Sequence, residues 1–150
     1  MKFGILKDKI DTLLLQKNTI GIKLQAICDL LEREILHYDW VGFYFKNGDK
    51  NELKLAQYTG EETEHTIIPF GKGICGQVAV TNKNFVVQDV SEQENYISCG
   101  WKVKSEIVIP IFVNEENVGQ IDIDSHTANI FSADDEKFLE FICKKVAKIL

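Results

Sequence analysis

The chain has 150 residues, of which 45% are hydrophobic, and this is enough apolar material for the core of one domain. Its 23 acidic residues outnumber 17 lysines and arginines and give a net charge of −6, which argues against nucleic acid as a partner, because such binding depends on basic residues that neutralise phosphates. Charged residues at positions 7–9 and 11 interrupt the apolar N-terminal stretch, so no signal peptide or membrane contact is expected. We expect a single cytoplasmic domain over residues 1–150.

Helical patterns occupy the two ends of the chain. In the first 35 residues, apolar side chains recur at helical spacing in two groups, which predicts two amphipathic helices or one bent pair. Near the C-terminus, residues 132–135 have the sequence of a capping box and open a helix that extends to about Ile149.

The middle of the chain has the patterns of β-strands. The predicted strands are 40–46, 53–58, 65–69, 85–87, 105–113 and 118–124. A glycine-rich turn feeds a short helix that ends near Asn82, and a polar connection over 91–98 is long enough to be an active-site loop. This order of elements predicts an α+β fold, with a central antiparallel sheet and the N- and C-terminal helices packed on one of its faces.

The four cysteines fall into two pairs of different character. Cys28 and Cys143 lie on apolar helical stripes and are expected to be core residues. Cys75 lies between two glycines near a predicted helix N-terminus, where unpaired N–H groups and the helix dipole favour a thiolate. Cys99 ends the polar connection, where a thiol is accessible. In a reducing compartment, catalytic or redox-sensing thiols are expected rather than a lasting disulfide framework.

The sequence contains no pattern typical of a metal site. The cysteines are not paired as CxxC, and His37, His65 and His126 do not fall at the spacing of metal ligands.

Two aspartates alternate with isoleucines in the last predicted strand. This alternation places the carboxylates of Asp122 and Asp124 on one face, about 7 Å apart, with Ile121 and Ile123 on the other. Like charges at that distance raise each other's pKa and cost stability unless a cation or hydrogen-bond donors compensate. The alternative is the solvated face of an edge strand.

Glu106 begins the partner strand of the same hairpin, and its orientation depends on the hairpin register. A four-residue loop at 114–117 would pair it with Ser125, on the face opposite the aspartates. One extra residue, as a bulge or a five-residue loop, would place it opposite Asp124 instead, and Pro110 is a candidate position for such an irregularity. The sequence leaves both registers open.

Trp40, Gly42 and Tyr44 alternate onto one face of the first predicted strand. Two aromatic rings around a glycine can form a slot for a small apolar or sulfur-containing group. The alternative is an aromatic pair that belongs to the core.

Five motifs occur in an order and spacing that resemble one family: WVGFY, GKGICG, ISCG, SEIVIPI and GQIDIDS. The chain resembles the free methionine-(R)-sulfoxide reductases, which are stand-alone GAF domains. The resemblance covers residues 40–125 and implies a two-thiol reductase of the free amino acid, recycled by thioredoxin, that requires no metal or organic cofactor. A homodimer remains open, as does a non-catalytic ligand-binding or redox-sensing GAF domain.

The resemblance also implies roles for individual residues. Cys99 matches the cysteine that attacks the sulfoxide, and Cys75 matches a resolving cysteine. The other matched positions are the substrate carboxylates and the aromatic wall around the substrate's methyl end: Glu106, Asp122, Asp124, Trp40 and Tyr44. Glu106 is also the first candidate to protonate the departing oxygen.

One position departs from the family pattern. Members commonly have a further cysteine ten residues before the one that matches Cys75, and here that position is His65. Either Cys75 closes the disulfide with Cys99 directly, or turnover is lost and only ligand binding remains. We expect the first, because two thiols within reach are sufficient.

Overall fold

The structure is a computed structural model that describes residues 3–97, 100 and 102–150. Cys99, the predicted attacking cysteine, lies outside the described residues. The helices are α1 (Phe3–Leu15), α2 (Ile20–Glu34), α3 (Gly73–Thr81) and α4 (Ala133–Ala147). The N-terminal pattern therefore forms two separate helices. The predicted capping box of α4 is present.

Six strands form one sheet in which every pair is antiparallel. The strands are β1 (Trp40–Lys46), β2 (Glu52–Thr59), β3 (Ile67–Pro69), β4 (Phe85–Val87), β5 (Ser105–Val113) and β6 (Glu116–Ser125). Their order across the sheet is β3-β2-β1-β6-β5-β4, so β6 is an inner strand. The α+β prediction is confirmed. The third strand was predicted over 65–69 and is shorter in the structure, where it covers Ile67–Pro69.

The turn between β5 and β6 differs from the sequence prediction. Only Asn114 and Glu115 form it, with φ of 51° and 67°, and positive φ at both positions gives the tight turn typical of hairpins. The extra residue is Val118 rather than one near Pro110, because Phe112 pairs with Asn117 while Ile111 pairs with Gly119.

The two faces of the sheet carry different layers. One face packs against α2 and α4, and α1 packs on these two helices; together they form the larger hydrophobic core, which includes Cys28 and Cys143 as the sequence predicted. The other face packs against α3 and forms a smaller cluster that includes Cys75, Trp40 and Tyr44. Within the described part of the chain, no helix combines the length and hydrophobicity that a bilayer crossing requires.

Candidate active site

The strand register brings the three predicted carboxylates together on the α3 face. Glu106 pairs with Asp124, and Val108 pairs with Asp122, so all three acids lie on one side of the β5–β6 pair. Glu106 is 5% exposed, and each aspartate is 2% exposed. The solvated-edge alternative is therefore wrong, because β6 is flanked by β1 and β5.

Cys75 reaches the same carboxylates from α3. Its Sγ lies 3.8 Å from Oε2 of Glu106, and the side chain is 4% exposed. Gln120 of β6 donates a hydrogen bond from Nε2 to the Cys75 carbonyl oxygen at 3.1 Å, which ties α3 to the sheet. The helix can approach because residue 76 is glycine: a Cβ there would lie 2.6 Å from the carbonyl oxygen of Pro69.

Burial raises the pKa of the Cys75 thiol well above its usual value, and the charges of Asp122, Glu106 and Asp124 raise it further. The predicted preference for a thiolate is therefore wrong in this arrangement. The position near the N-terminus of α3 is as expected, but three carboxylates and loss of solvent outweigh the helix dipole. These effects favour the protonated thiol of Cys75 over its thiolate.

The carboxyl groups of Asp122 and Asp124 are shielded from water, and they lack a full set of hydrogen-bond partners among the described residues. Burial raises the pKa of both groups, and the charge of Asp122 raises that of Asp124 further. The Oδ1 atom of each has no hydrogen-bond partner among the residues that the structure describes. Within that same set, neither carboxylate forms an ion pair with a basic side chain. The site is therefore suited to a ligand that carries positive charge and N–H donors.

Trp40 and Tyr44 stand on the same face of β1, beside the acids. Trp40 pairs with Asp124 and Tyr44 with Gln120, and the two ring centroids are 6.3 Å apart. Gly42 is required between them, because a Cβ there would collide with the indole ring. The two rings share one face as the sequence predicted, and both belong to the smaller core cluster; their use as a slot for a ligand stays a prediction.

Hydrogen bonds to the backbone fix both rings. The Trp40 Nε1–H donates to the carbonyl oxygen of Glu61 at 3.0 Å. The Tyr44 hydroxyl donates to the carbonyl oxygen of His65 at 2.9 Å. His65, which takes the place of the further family cysteine, therefore lies at the edge of the site.

A narrow cavity of about 20 Å³ opens between these groups, with room for about one water. Cys75, Glu106, Asp122, Tyr44 and His65 are among its lining residues. A neighbouring cavity of about 70 Å³ is lined by Trp40, Asp124 and other residues.

Three residues contribute to this site although the sequence analysis did not assign them to it. Gln120 alternates with Asp122, so the same period-two pattern could have placed it on the site face. Ile97 covers the site by packing against Gly73, where a Cβ would lie 2.9 Å from its side chain. Ile97 is an isolated apolar residue in a polar segment, so no sequence pattern comparable to that of Gln120 predicts its place in the site. Gly76 is one of several glycines in its segment, and only the helix–sheet approach singles it out.

The distance between Cys75 and Cys99 stays a prediction, because Cys99 lies outside the described residues. A direct disulfide requires their Cα atoms to come within about 7 Å.

The antiparallel sheet with its two unequal layers is the fold of a GAF domain, and the GAF domain family model matches residues 23–150. The free methionine-R-sulfoxide reductase of Saccharomyces cerevisiae is 38% identical over 112 residues, which cover 73% of this chain and 62% of the yeast protein. The structure of a type II free methionine-R-sulfoxide reductase from Thermoplasma acidophilum superposes with a TM-score of 0.83 at 35% identity, covering 87% of this chain and 91% of that one. The reduced form of the Staphylococcus aureus fRMsr gives a TM-score of 0.91 at 33% identity, covering 99% and 94%. The chain belongs to the free methionine-(R)-sulfoxide reductase family of GAF domains.

Proposed function

We propose that residues 1–150 act as one GAF domain that reduces free methionine-(R)-sulfoxide to methionine by a two-thiol mechanism. The observation that carries the proposal is the burial of Glu106, Asp122 and Asp124 beside the thiol of Cys75. A set of buried acids is costly unless a cationic ligand compensates it, and the substrate's ammonium group is such a ligand.

The two aspartates bind the ammonium group in this proposal. The Oδ1 atoms of Asp122 and Asp124 are buried and without partners in the described part of the chain, so each can accept a charge-assisted hydrogen bond from a substrate N–H. A methionine sulfoxide residue inside a peptide has a neutral amide instead, and would leave these charges uncompensated. The site therefore selects the free amino acid.

The aromatic side chains receive the other end of the substrate. Trp40 and Tyr44 lie next to the acids along β1, and their rings are held by hydrogen bonds rather than free to turn. Rings of this kind make favourable contacts with sulfur and methyl groups. They orient the sulfoxide sulfur for attack.

The chemical step uses Cys99 as the nucleophile. Its thiolate attacks the sulfoxide sulfur, the oxygen is transferred to Cys99 as a sulfenic acid, and methionine leaves. Glu106 supplies the proton that the departing oxygen needs, because its carboxyl group is buried and reaches the cavity.

Cys75 then resolves the sulfenic acid. Its thiol is protonated, and the carboxylate left on Glu106 lies 3.8 Å from Sγ, close enough to take that proton as the sulfur attacks. A disulfide forms between Cys75 and Cys99 and one water is released. A dithiol protein such as thioredoxin restores both thiols by exchange, which fits a cytoplasmic location.

A count of free thiols tests the proposal. The reduced protein is mixed with an excess of methionine-(R)-sulfoxide, and two thiols per chain are expected to disappear while one methionine forms. The (S)-epimer serves as the substrate control and Cys143→Ser as the matched protein control, since Cys143 is equally buried but lies on the far side of the sheet. No thiol loss with the (R)-epimer would overturn the proposal.

A second function, ligand binding without turnover, is favoured by two observations. The further family cysteine is replaced by His65, and the remaining described thiol of the site is protonated. Binding of methionine-(R)-sulfoxide with all thiols retained would support this alternative.

A further inference from the structure

Three potential metal-ligand atoms converge at the site although the sequence predicts no metal there. One ligand atom each from Cys75, Glu106 and Asp122 lies within 4.8 Å of the other two. Zinc ligands at about 2.0–2.3 Å in a tetrahedral arrangement are themselves about 3.3–3.8 Å apart. The 3.8 Å between Cys75 Sγ and Glu106 Oε2 therefore already suits two ligands of one ion.

Independent features of the site also indicate a cation. Asp122 is 2% exposed, and its Oδ1 atom has no hydrogen-bond partner in the described residues. The cavity that all three residues line measures about 20 Å³, which is room for a single ion or water. Asp124 adds a further buried carboxyl group on the same face.

The donor set distinguishes between metals. A thiolate combined with two carboxylates suits Zn²⁺, whereas Mg²⁺ and Ca²⁺ prefer sites built from oxygen alone. Three protein ligands also leave one position of a four-coordinate zinc open.

We propose that the reduced protein binds one Zn²⁺ through the Cys75 thiolate and the carboxylates of Glu106 and Asp122. The ion displaces the thiol proton, as zinc does at coordinated cysteines. The site exists only while Cys75 is a free thiol, so a disulfide at Cys75 abolishes it. Zinc here is an inhibitor rather than a cofactor: it engages Asp122, one of the two aspartates that bind the ammonium group, and blocks the resolving thiol. That inhibition rests on the proposed function, whereas metal binding does not.

Titration of the reduced full-length protein with Zn²⁺, and with Co²⁺ as a spectroscopic substitute, tests the inference without any substrate. We expect one ion per chain, and a thiolate-to-cobalt charge-transfer band that zinc displaces. Cys75→Ser is expected to lose the band, and Asp122→Asn to weaken zinc binding at least tenfold. Cys143→Ser, which removes an equally buried thiol far from the acids, should bind as the parent does.

The outcomes separate this inference from the proposed function. Circular dichroism of each variant verifies that it is folded. A charge-transfer band that persists in Cys75→Ser, or zinc affinity unchanged in both Cys75→Ser and Asp122→Asn, would overturn the metal site. A protein that binds zinc as described but loses no thiols to methionine-(R)-sulfoxide keeps the metal site and fails the proposed function. If the metal site and the proposed function both hold, zinc is expected to slow the reduction of methionine-(R)-sulfoxide and a chelator to restore it.

Discussion

Glu106 and Asp124 face each other across β5 and β6, and both carboxyl groups are buried on the side of the sheet that packs against α3. The pairing follows from one residue, Val118, which bulges from β6 between the turn and the site. Burial and the charge of Asp122 raise the pKa of Asp124, so removal of the Asp124 charge should reveal what the ionised carboxylate costs in the ligand-free protein.

Asp124→Asn should stabilise the ligand-free protein while it weakens substrate binding. The pKa of Asp124 is raised in the folded state, so folded protein binds more protons than unfolded protein, and stability is lost as pH rises from about 4 through the folded-state pKa. The variant lacks this loss. Above both the folded-state and the unfolded-state pKa of Asp124, the free energy of unfolding of the variant should exceed that of the parent. The expected difference is about 1.4 kcal/mol for each pH unit between those two pKa values. Urea unfolding from pH 4 to 9 measures the difference, and equal pH profiles would contradict it.

The two site cysteines should differ in the number of turnovers that their loss permits. Cys99→Ser should abolish reduction, because the variant lacks the proposed nucleophile. Cys75→Ser should allow at most one methionine per chain, because the sulfenic acid is no longer resolved. Rapid-quench assays with thioredoxin, thioredoxin reductase and NADPH measure both, with Cys28→Ser as the unaffected control. Undiminished multiple turnover by Cys75→Ser would show that another thiol resolves.

N-acetylation of the substrate should reduce kcat/KM strongly. The acetylated amine is neutral and would leave Asp122 and Asp124 without their cation, at a cost of about 3–5 kcal/mol if both aspartates are ionised. The comparison of free and N-acetylated methionine-(R)-sulfoxide should therefore show a loss of at least a hundredfold. Asp122→Asn should narrow this gap, because one of the charges is removed. Similar rates on both substrates would assign the aspartates another role.

Asp135→Asn should destabilise the protein in a pH-dependent way. Burial alone would raise the pKa of Asp135, but hydrogen bonds from the Ser132 N–H, the Tyr38 hydroxyl and the Ser132 hydroxyl lower it. A lowered folded-state pKa gives stability that is present above the unfolded value of about 4 and is lost as pH falls through the folded value.

The expected loss for Asp135→Asn at pH 7 is about 1–3 kcal/mol, and it should shrink below pH 4. Asp134→Asn is the matched control, because Asp134 is in the same first turn of α4 but exposed. Thermal unfolding across pH 2–7 makes the comparison, and a loss independent of pH would rule out the charge as its cause.

The sequence predicted those parts of the fold and of the site that depend on a local periodicity or a local motif. The alternation of Ile121, Asp122, Ile123 and Asp124 placed the carboxylates on one face, and the capping box placed the start of α4. The orientation of Glu106 was out of reach, because the bulge at Val118 arises from how two strands pair and not from the composition of either strand.

The protonation state of Cys75 shows a second limit. The helix N-terminus is a local feature and predicted a thiolate. Burial between α3 and the sheet is the largest cause of the raised pKa of Cys75, and the charges of residues 31 to 49 positions away raise it further. Only the assembled fold reveals that these opposing effects act on one sulfur atom.

Gly42 also allows Trp40 to serve as a fluorescent probe of the site. Because it has no side chain, the indole ring of Trp40 can lie along β1, stacked on Tyr58 with 5.5 Å between ring centroids, next to the strand position of Asp124. The chain contains two tryptophans, so Trp101→Phe leaves Trp40 as the single emitter. Its fluorescence would then respond when a cation neutralises the carboxylate beside it, and would report the arrival of a ligand before any bond is broken.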